Sequence, residues 1–302
     1  MTRRAKDYLT GESFTLVPTA AGWWETSPAP ADLARYYPEV YYGKSGQRRF
    51  PQPIEWMQNA LCRRRAQQVT TAAGGSGRVL DAGCGPGHLL AQFRALGWRT
   101  VGTEADERAA AIPRANYGLE VLTDDVRDLR FPDRTFDAVV SWHTLEHMRH
   151  PAQTLDKIAR LLRPGGVFLV SVPNFSSPEA QANPPAWFHL EVPRHLCHFP
   201  AAVLREHLER RGLKIVRESY WTPEYDAISL VQTWQNRLGL PQNLLYLMLK
   251  SAHVSGADVS SFAQRACAAM LGVVCLPCAL GVSSWRAWRK NGGVVTFLAR
   301  KL

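Results

Sequence analysis

The 302-residue sequence predicts an α/β fold, a mostly parallel sheet with helices on both faces. Three observations predict it. Strand-like and helix-like runs alternate regularly between residues 78 and 220, the pattern of strands joined by covering helices. A turn with three glycines, Gly83, Gly85 and Gly87, joins the first of those strands to its helix. An acidic residue, Glu104, closes the second strand about 20 residues beyond the glycines, where a doubly wound sheet can offer a carboxylate to a pair of ligand hydroxyls.

The elements are expected in this order. The first 40 residues are rich in aromatics and prolines (Trp23, Trp24, Pro28, Pro30, Tyr36, Tyr37, Tyr41, Tyr42), which points to an irregular segment packed onto something larger. Residues 52–72 read as a helix with Ile54, Met57, Leu61 and Val69 on or near one face. After the break Gly74-Gly75-Ser76-Gly77, strand 78–81 leads through the glycine turn into helix 88–96, ended by Gly97. Strand 99–103, helix 106–115 and strand 119–122 follow, then strand 136–142 and helix 152–162, closed by Pro164-Gly165-Gly166. Strand 167–172, helix 201–211 and strand 213–220 complete the alternating part. Two apolar helices, 243–250 and 261–282, then intervene before a last strand at 294–299. If that strand pairs with 213–220, the helices are an insertion between sheet neighbours.

Composition narrows the function. With 46% hydrophobic and 21% charged residues the chain is globular, since disorder requires far fewer aliphatics. A formal charge of +10 favours an anionic partner, whether nucleic acid, membrane surface or charged substrate. The six cysteines (62, 84, 197, 267, 275, 278) have no disulfide-framework spacing, and MTRRAKDYLTGE lacks the apolar core of a signal peptide. A reducing cytoplasm is therefore expected. Cys275 and Cys278 form a C-x-x-C inside an apolar run, where small hydrophobes pack; a redox role is not expected there.

The glycines at 83, 85 and 87 let the backbone turn sharply and let a ligand approach without a Cβ in the way. On its own such a turn marks only a tight strand-to-helix connection. Glu104 and Asp125 follow it in series at the ends of the next two strands. Asp125 is placed to meet an adenine amino group, with Val126 beside the ring.

With these residues in order, the sequence resembles the class I S-adenosylmethionine (SAM)-dependent methyltransferases. The segments that carry the resemblance are VLDAGCGPG (79–87), VGTE (101–104), DDVRDLRFPDRTFDAVVSWHTLEH (124–147) and LLRPGGVFLVSVPN (161–174). The resemblance implies a Rossmann-like, seven-stranded sheet with an antiparallel last strand. It also implies SAM lying near Asp81, Gly83, Cys84, Gly85, Gly87, Glu104, Asp125, Val126 and His143. A nicotinamide dehydrogenase is the competitor at the level of the fold. The expected organisation is an N-terminal extension and helix (1–73), a SAM-binding core (74–221), a helical insertion (222–291) and the last core strand (292–302).

A closer resemblance is to bacterial small-molecule methyltransferases related to the ubiquinone O-methyltransferases, carried by Leu145-Glu146-His147, Val172-Pro173-Asn174 and WFHLEVPRHL (187–196). Many such relatives begin with a Cys-x-x-Cys zinc module. Here Pro18 and Ala21 stand where those cysteines would fall, so no zinc is expected at the amino terminus. His143, Glu146 and His147 spell H-x-x-E-H, a zinc-protease signature, but they follow a methyltransferase strand rather than open a protease helix. Relatives in ubiquinone synthesis can use acidic and His side chains here with a divalent metal; helix capping and packing is the favoured reading, and no metal is assigned.

His189, Glu191, Arg194, His195 and His198 crowd the loop after the fifth strand. Methyl transfer to oxygen often needs a base near neutrality, which histidine suits. His195 is the first choice for it, with His143, His198 and Arg194 as further catalytic candidates; the plain alternative is a structural lid. The expected reaction is methylation of a small or lipid-like acceptor, at oxygen. Two alternatives are an RNA methyltransferase and a non-catalytic SAM-fold binding protein. Base-amine methyltransferases place Asn/Asp-Pro-Pro-aromatic after the fourth strand, where this chain has Ser141-Trp142-His143-Thr144. Asn183-Pro184-Pro185-Ala186 comes later and lacks the aromatic. A homo-oligomer is compatible with all of these readings. Residues 266–282 are almost purely apolar, broken by Pro277 and followed by Trp285, Arg286, Trp288, Arg289 and Lys290. That mixture predicts peripheral, one-leaflet attachment to an anionic membrane at its cytoplasmic face, against a buried cap or a contact with a second subunit.

Overall fold

The computed structural model describes residues 3–37, 51–249 and 260–302. The N-terminal segment is not irregular. Strands β1 (Arg3–Lys6), β2 (Ser13–Pro18) and β3 (Trp24–Ser27) form antiparallel pairs. Cys197–His198, called β9 in chain order, pairs with β3 to complete a four-stranded sheet. Alternation along β2, with Phe14 and Leu16 buried and their neighbours wetter, is the signature that the prolines and aromatics obscured. Tyr41 and Tyr42 lie outside the described residues.

Helix α1 (Gln52–Ala73) ends at Gly74, which adopts the left-handed conformation glycine allows. The core then runs β4 (Arg78–Ala82), α2 (His88–Ala95), β5 (Arg99–Thr103), α3 (Glu107–Tyr117), β6 (Val121–Leu122), β7 (Phe136–Trp142), α4 (Pro151–Leu161) and β8 (Leu162–Pro173). Short α5 (Pro178–Ala182), β9, α6 (Ala201–Glu209) and β10 (Leu213–Ser219) follow. Pro164-Gly165-Gly166 does not close the helix as expected: α4 ends at Leu161, and the triplet lies inside β8.

The main sheet has seven strands in the order β10-β11-β8-β7-β4-β5-β6, where β11 is Val294–Lys301. It is parallel except at β11, which pairs antiparallel with both β8 and β10. This is the Rossmann-like class I methyltransferase sheet that the resemblance implied. Because β11 sits between β8 and β10, the helices that precede it are an insertion between sheet neighbours. The central strands β7 and β8 are buried along nearly all their length and read as continuous apolar runs, as parallel strands covered on both faces do. One core packs β4, β7 and β8 against α4 and α6, around Phe136, Phe168 and Phe297; the other packs α1 and α2 against the opposite face, around Phe93 and Trp98.

The insertion holds α7 (Asp226–Arg237), α8 (Leu244–Leu249) and α9 (Phe262–Trp288). Helix α7 is not among the helices expected from the sequence, and Lys250, the expected end of the helix at 243–250, lies outside the described residues. Helix α9 continues six residues past the expected end and through Pro277. Its start is fixed by a capping box between Ser261 and Gln264, which satisfies two otherwise orphaned N–H groups.

Candidate active site

The turn between β4 and α2 separates its glycines into two kinds. Gly83, Gly85 and Gly87 all have positive φ (+78°, +50° and +82°). A Cβ on Gly83 would collide with the Thr144 side chain, and one on Gly87 would lie 2.6 Å from Pro113 and 2.9 Å from Leu119. Those two are glycines so that the turn can pack. A Cβ on Gly85 would meet nothing within 4 Å, so Gly85 alone faces open space. Cys84 contributes main chain: its N–H donates to Thr103 O at 2.9 Å, and its side chain packs down onto Gly102.

Two carboxyls face this turn. Glu104, just past β5, accepts the Gly85 N–H at 3.1 Å. Asp81, in β4, is 2% exposed. Burial, and then the negative charge of Glu104, push the Asp81 carboxyl up to about 7. Burial raises Glu104 as well, against the amides of Gly85, Asp106 and Ala105. Two desolvated carboxyls side by side favour a ligand that brings positive charge. Asp125 caps the turn 126–128, accepting from Arg127 N at 2.9 Å and from both arms of its guanidinium at 3.0 and 2.9 Å. Burial opposes it, but these bonds hold the Asp125 carboxyl below its usual range. Val126 is buried beside it.

Past β7 the chain enters a nest of imidazoles. His143 (φ +52°) and Glu191 (φ +40°) hold left-handed conformations that cost a non-glycine residue energy and occur preferentially at ligand sites. His143 Nδ1 lies 3.3 Å from Glu146 Oε1. Its Nε2 is buried without a partner, as is Nε2 of His189. Orphaned buried nitrogens are rare and call for an external partner. The Tyr225 ring packs edge-on to both imidazoles, 4.9 Å from His143 and 6.2 Å from His189. Burial first, then the charge of Arg65, lowers His143 to about 3; burial and then His143 do the same to His189. Both rings are therefore neutral at physiological pH. Burial pushes the Glu146 carboxyl up to about 7.

His195 donates from Nδ1 to the His189 carbonyl at 2.8 Å, which fixes its tautomer and leaves Nε2 as the bare nitrogen. Glu191 Oε2 is 3.8 Å from that Nε2. Burial holds His195 well below its usual range, so it too is neutral. The His147 ring packs 4.7 Å away. Glu146, His147 and His195 each present a ligand atom within 4.8 Å of the others, a group able to hold a small cation. Arg194 serves the architecture around them. Its fully buried guanidinium pairs with Asp7 at 2.9 Å, donates to Tyr36 O at 3.3 Å and lies over the Tyr8 ring. It thereby ties the N-terminal sheet to the loop. His198 Nε2 is 2.9 Å from Thr26 Oγ1, within that sheet.

Of the residues singled out from sequence, Asp81, Gly85 and Glu104 meet at one turn. His143 and His195 meet at the imidazole nest with Glu146, His147, His189 and Glu191. Arg194 and His198 are engaged by the N-terminal sheet. Tyr225 was missed because it comes from the insertion, and no spacing links it to the loop it packs on.

A family model described as a methyltransferase domain matches residues 54–218, more than half of the chain. The "Probable S-adenosylmethionine-dependent methyltransferase" of Mycolicibacterium smegmatis is 35% identical over 138 residues, which are 45% of this chain and 52% of that protein. The chain thus spans about half the length of that relative. A ubiquinone biosynthesis O-methyltransferase of Nitrobacter winogradskyi is 29% identical over 224 residues, covering 69% of this chain and 80% of the relative. A SAM-dependent methyltransferase from Archaeoglobus fulgidus shares the fold, with a TM-score of 0.53 over 89% of this chain and 100% of that one at 17% identity.

Proposed function

The chain belongs to the methyltransferase-domain family, and from that premise we propose that it moves the methyl group of S-adenosylmethionine onto an oxygen of a small or lipid-like acceptor. The observation that carries the proposal is the pairing of open Gly85 with the buried carboxyl of Asp81 and the half-buried one of Glu104. SAM supplies an electrophilic methyl group on a positively charged sulfur, and its amino group adds a second positive charge. Asp81 and Glu104 bind that charge and a ribose, and Asp125 with Val126 takes the adenine. The likeness to a ubiquinone O-methyltransferase favours oxygen as the methylated atom.

The Nε2 atoms of His143 and His189, unpartnered among the described residues, orient the acceptor oxygen by donating their N–H to it. His195 Nε2 takes its proton, and Glu191, 3.8 Å away, stabilises the imidazolium that forms. Six unpaired cysteines fit the proposed cytoplasmic setting.

One expected result follows from the carboxyl pair. Asp81 titrates at about 7, so below that pH it is protonated in the free protein and cannot neutralise a cation. A cationic ligand favours the ionised form, so binding takes up the cost of deprotonation at low pH. SAM affinity should therefore rise between pH 6 and 8, by up to about tenfold per unit below the pKa. Calorimetric titrations across that range check it; a flat or falling affinity would remove the carboxyl pair from the binding site.

Attachment to an anionic membrane is the second part of the proposal, and α9 favours it by being apolar on its outward face as well as its inward one. Its protein-facing side carries Ala268, Leu276, Ala279, Val282 and Ser283, with Arg286 paired to Glu179. Its outward side carries Phe262, Met270, Val273, Val274, Leu280, Trp285 and Trp288, seven of the thirteen large exposed hydrophobic residues of the described chain. Only 17% of its most apolar stretch is buried. Residues 222–291 hold six Lys or Arg against three acids, Glu224, Asp226 and Asp258, a net positive charge. Apolar rows ending in Trp and cations suit the boundary of one leaflet. In sedimentation with vesicles containing anionic lipid, the protein should pellet, and the double variant Val273→Glu/Val274→Glu should lose about tenfold or more of its partitioning. If the parent stays in the supernatant and the variant only abolishes a dimer, the face is a contact between copies.

A further inference from the structure

A cavity beside the imidazole nest is assigned to nothing above. It has a volume of about 180 Å³ and opens between α1, the end of β7, β10 and the loop that leads to α7. Trp142, Trp221 and Leu169 give it apolar walls, and Arg64, Arg65 and Arg217 line it as well. None of Asp81, Gly85, Glu104 or Asp125 reaches it, so it is not the turn that holds the cofactor.

The three arginines differ. Arg65 is fixed in place: its guanidinium lies 3.7 Å over the Trp142 ring and pairs with Glu224. The guanidinium groups of Arg64 and Arg217 make no ion pair or hydrogen bond among the described residues. Glu218, next to Arg217 in sequence, is engaged by Arg205 and Lys290 instead. The cavity therefore combines an apolar body with two uncompensated cations. Its size compares with the roughly 150 Å³ that admits one benzene ring. It adjoins the imidazole nest: Trp142, in its wall, packs edge-on to the His143 ring, with 5.6 Å between centroids.

We propose that this cavity seats the acceptor, and that the acceptor is an anionic amphiphile: a carboxylate or phosphate on an aromatic or short apolar body. The anion lies between Arg64 and Arg217, and the body rests on Trp142, Trp221 and Leu169. Guanidinium forks match either oxyanion. The proposal rests on the methyltransferase reading for the role of the ligand as acceptor, but not for its binding.

The test is calorimetric titration of the full chain, without SAM, with 2-naphthoate, 2-naphthyl phosphate and the neutral 2-naphthylmethanol. At least one of the two acids should bind saturably, and at least tenfold more tightly than the alcohol; the difference between the acids identifies the head group. Arg64→Ala/Arg217→Ala should lose at least tenfold in affinity for the acid that binds, with its SAM affinity unchanged. Both arginines are exposed, so the variant should keep its melting temperature. Equal binding of alcohol and acid, an unaltered double variant, or no saturable binding of either acid overturns the proposal. If an acid binds as described while SAM does not, the cavity stands and the methyltransferase reading falls.

Discussion

Gly85→Arg should abolish binding of S-adenosylmethionine, with at least a hundredfold loss of affinity, while leaving the sheet folded. The direction follows from the open space in front of Gly85 and the crowding at its neighbours. An arginine there projects into the ligand's volume and brings a positive charge beside the carboxyls meant for a cationic ligand. Its left-handed φ of +50° adds roughly 1–2 kcal/mol of strain, too little to unfold a domain of this size. Gly83→Ala is the contrasting variant. Its methyl would collide with Thr144, so it should lower the melting temperature as well as the affinity. Calorimetry with SAM and a thermal melt separate the two. A Gly85→Arg protein that binds SAM like the parent would move the ligand elsewhere.

His195→Ala should lower turnover on the order of a hundredfold or more, the usual worth of a general base, with SAM affinity barely changed. His195 is buried, and its Nδ1–H holds the His189 carbonyl, so part of any loss could come from the loop. His195→Asn resolves this. Its amide can still donate to that carbonyl but cannot act as the base. Both variants should be equally slow, whereas a purely structural histidine would be largely rescued by asparagine. Single-turnover rates on an identified acceptor provide the readout.

The alternating core was legible because each of its signals is local. The glycine turn, Glu104 and Asp125 stand at strand ends, and strand ends are marked by short-range pattern. The count of seven strands and the antiparallel β11 came through the resemblance rather than through periodicity, and the strand order only from the structure, since nothing in Val294–Lys301 states its partners. The N-terminal sheet was not legible. Its strands are only two to six residues long, and one of them, Cys197–His198, lies some 170 residues from the rest. The three glycines read alike in sequence, and only the positions of Thr144, Pro113 and Leu119 separate their roles. Arg194 and His198 resemble catalytic residues in a list of spacings. Their partners Asp7 and Thr26 belong to a distant part of the chain, which is why packing, and not pattern, shows what they hold.

The most direct measurement is calorimetric titration of the unmodified protein with S-adenosylmethionine and, in parallel, with a nicotinamide dinucleotide, the ligand of the competing doubly wound fold. The expected result is saturable, single-site binding of S-adenosylmethionine and no heat from the dinucleotide. Heat from the dinucleotide alone, or from neither ligand, would contradict the assignment of Asp81, Gly85 and Glu104 to a methyl donor.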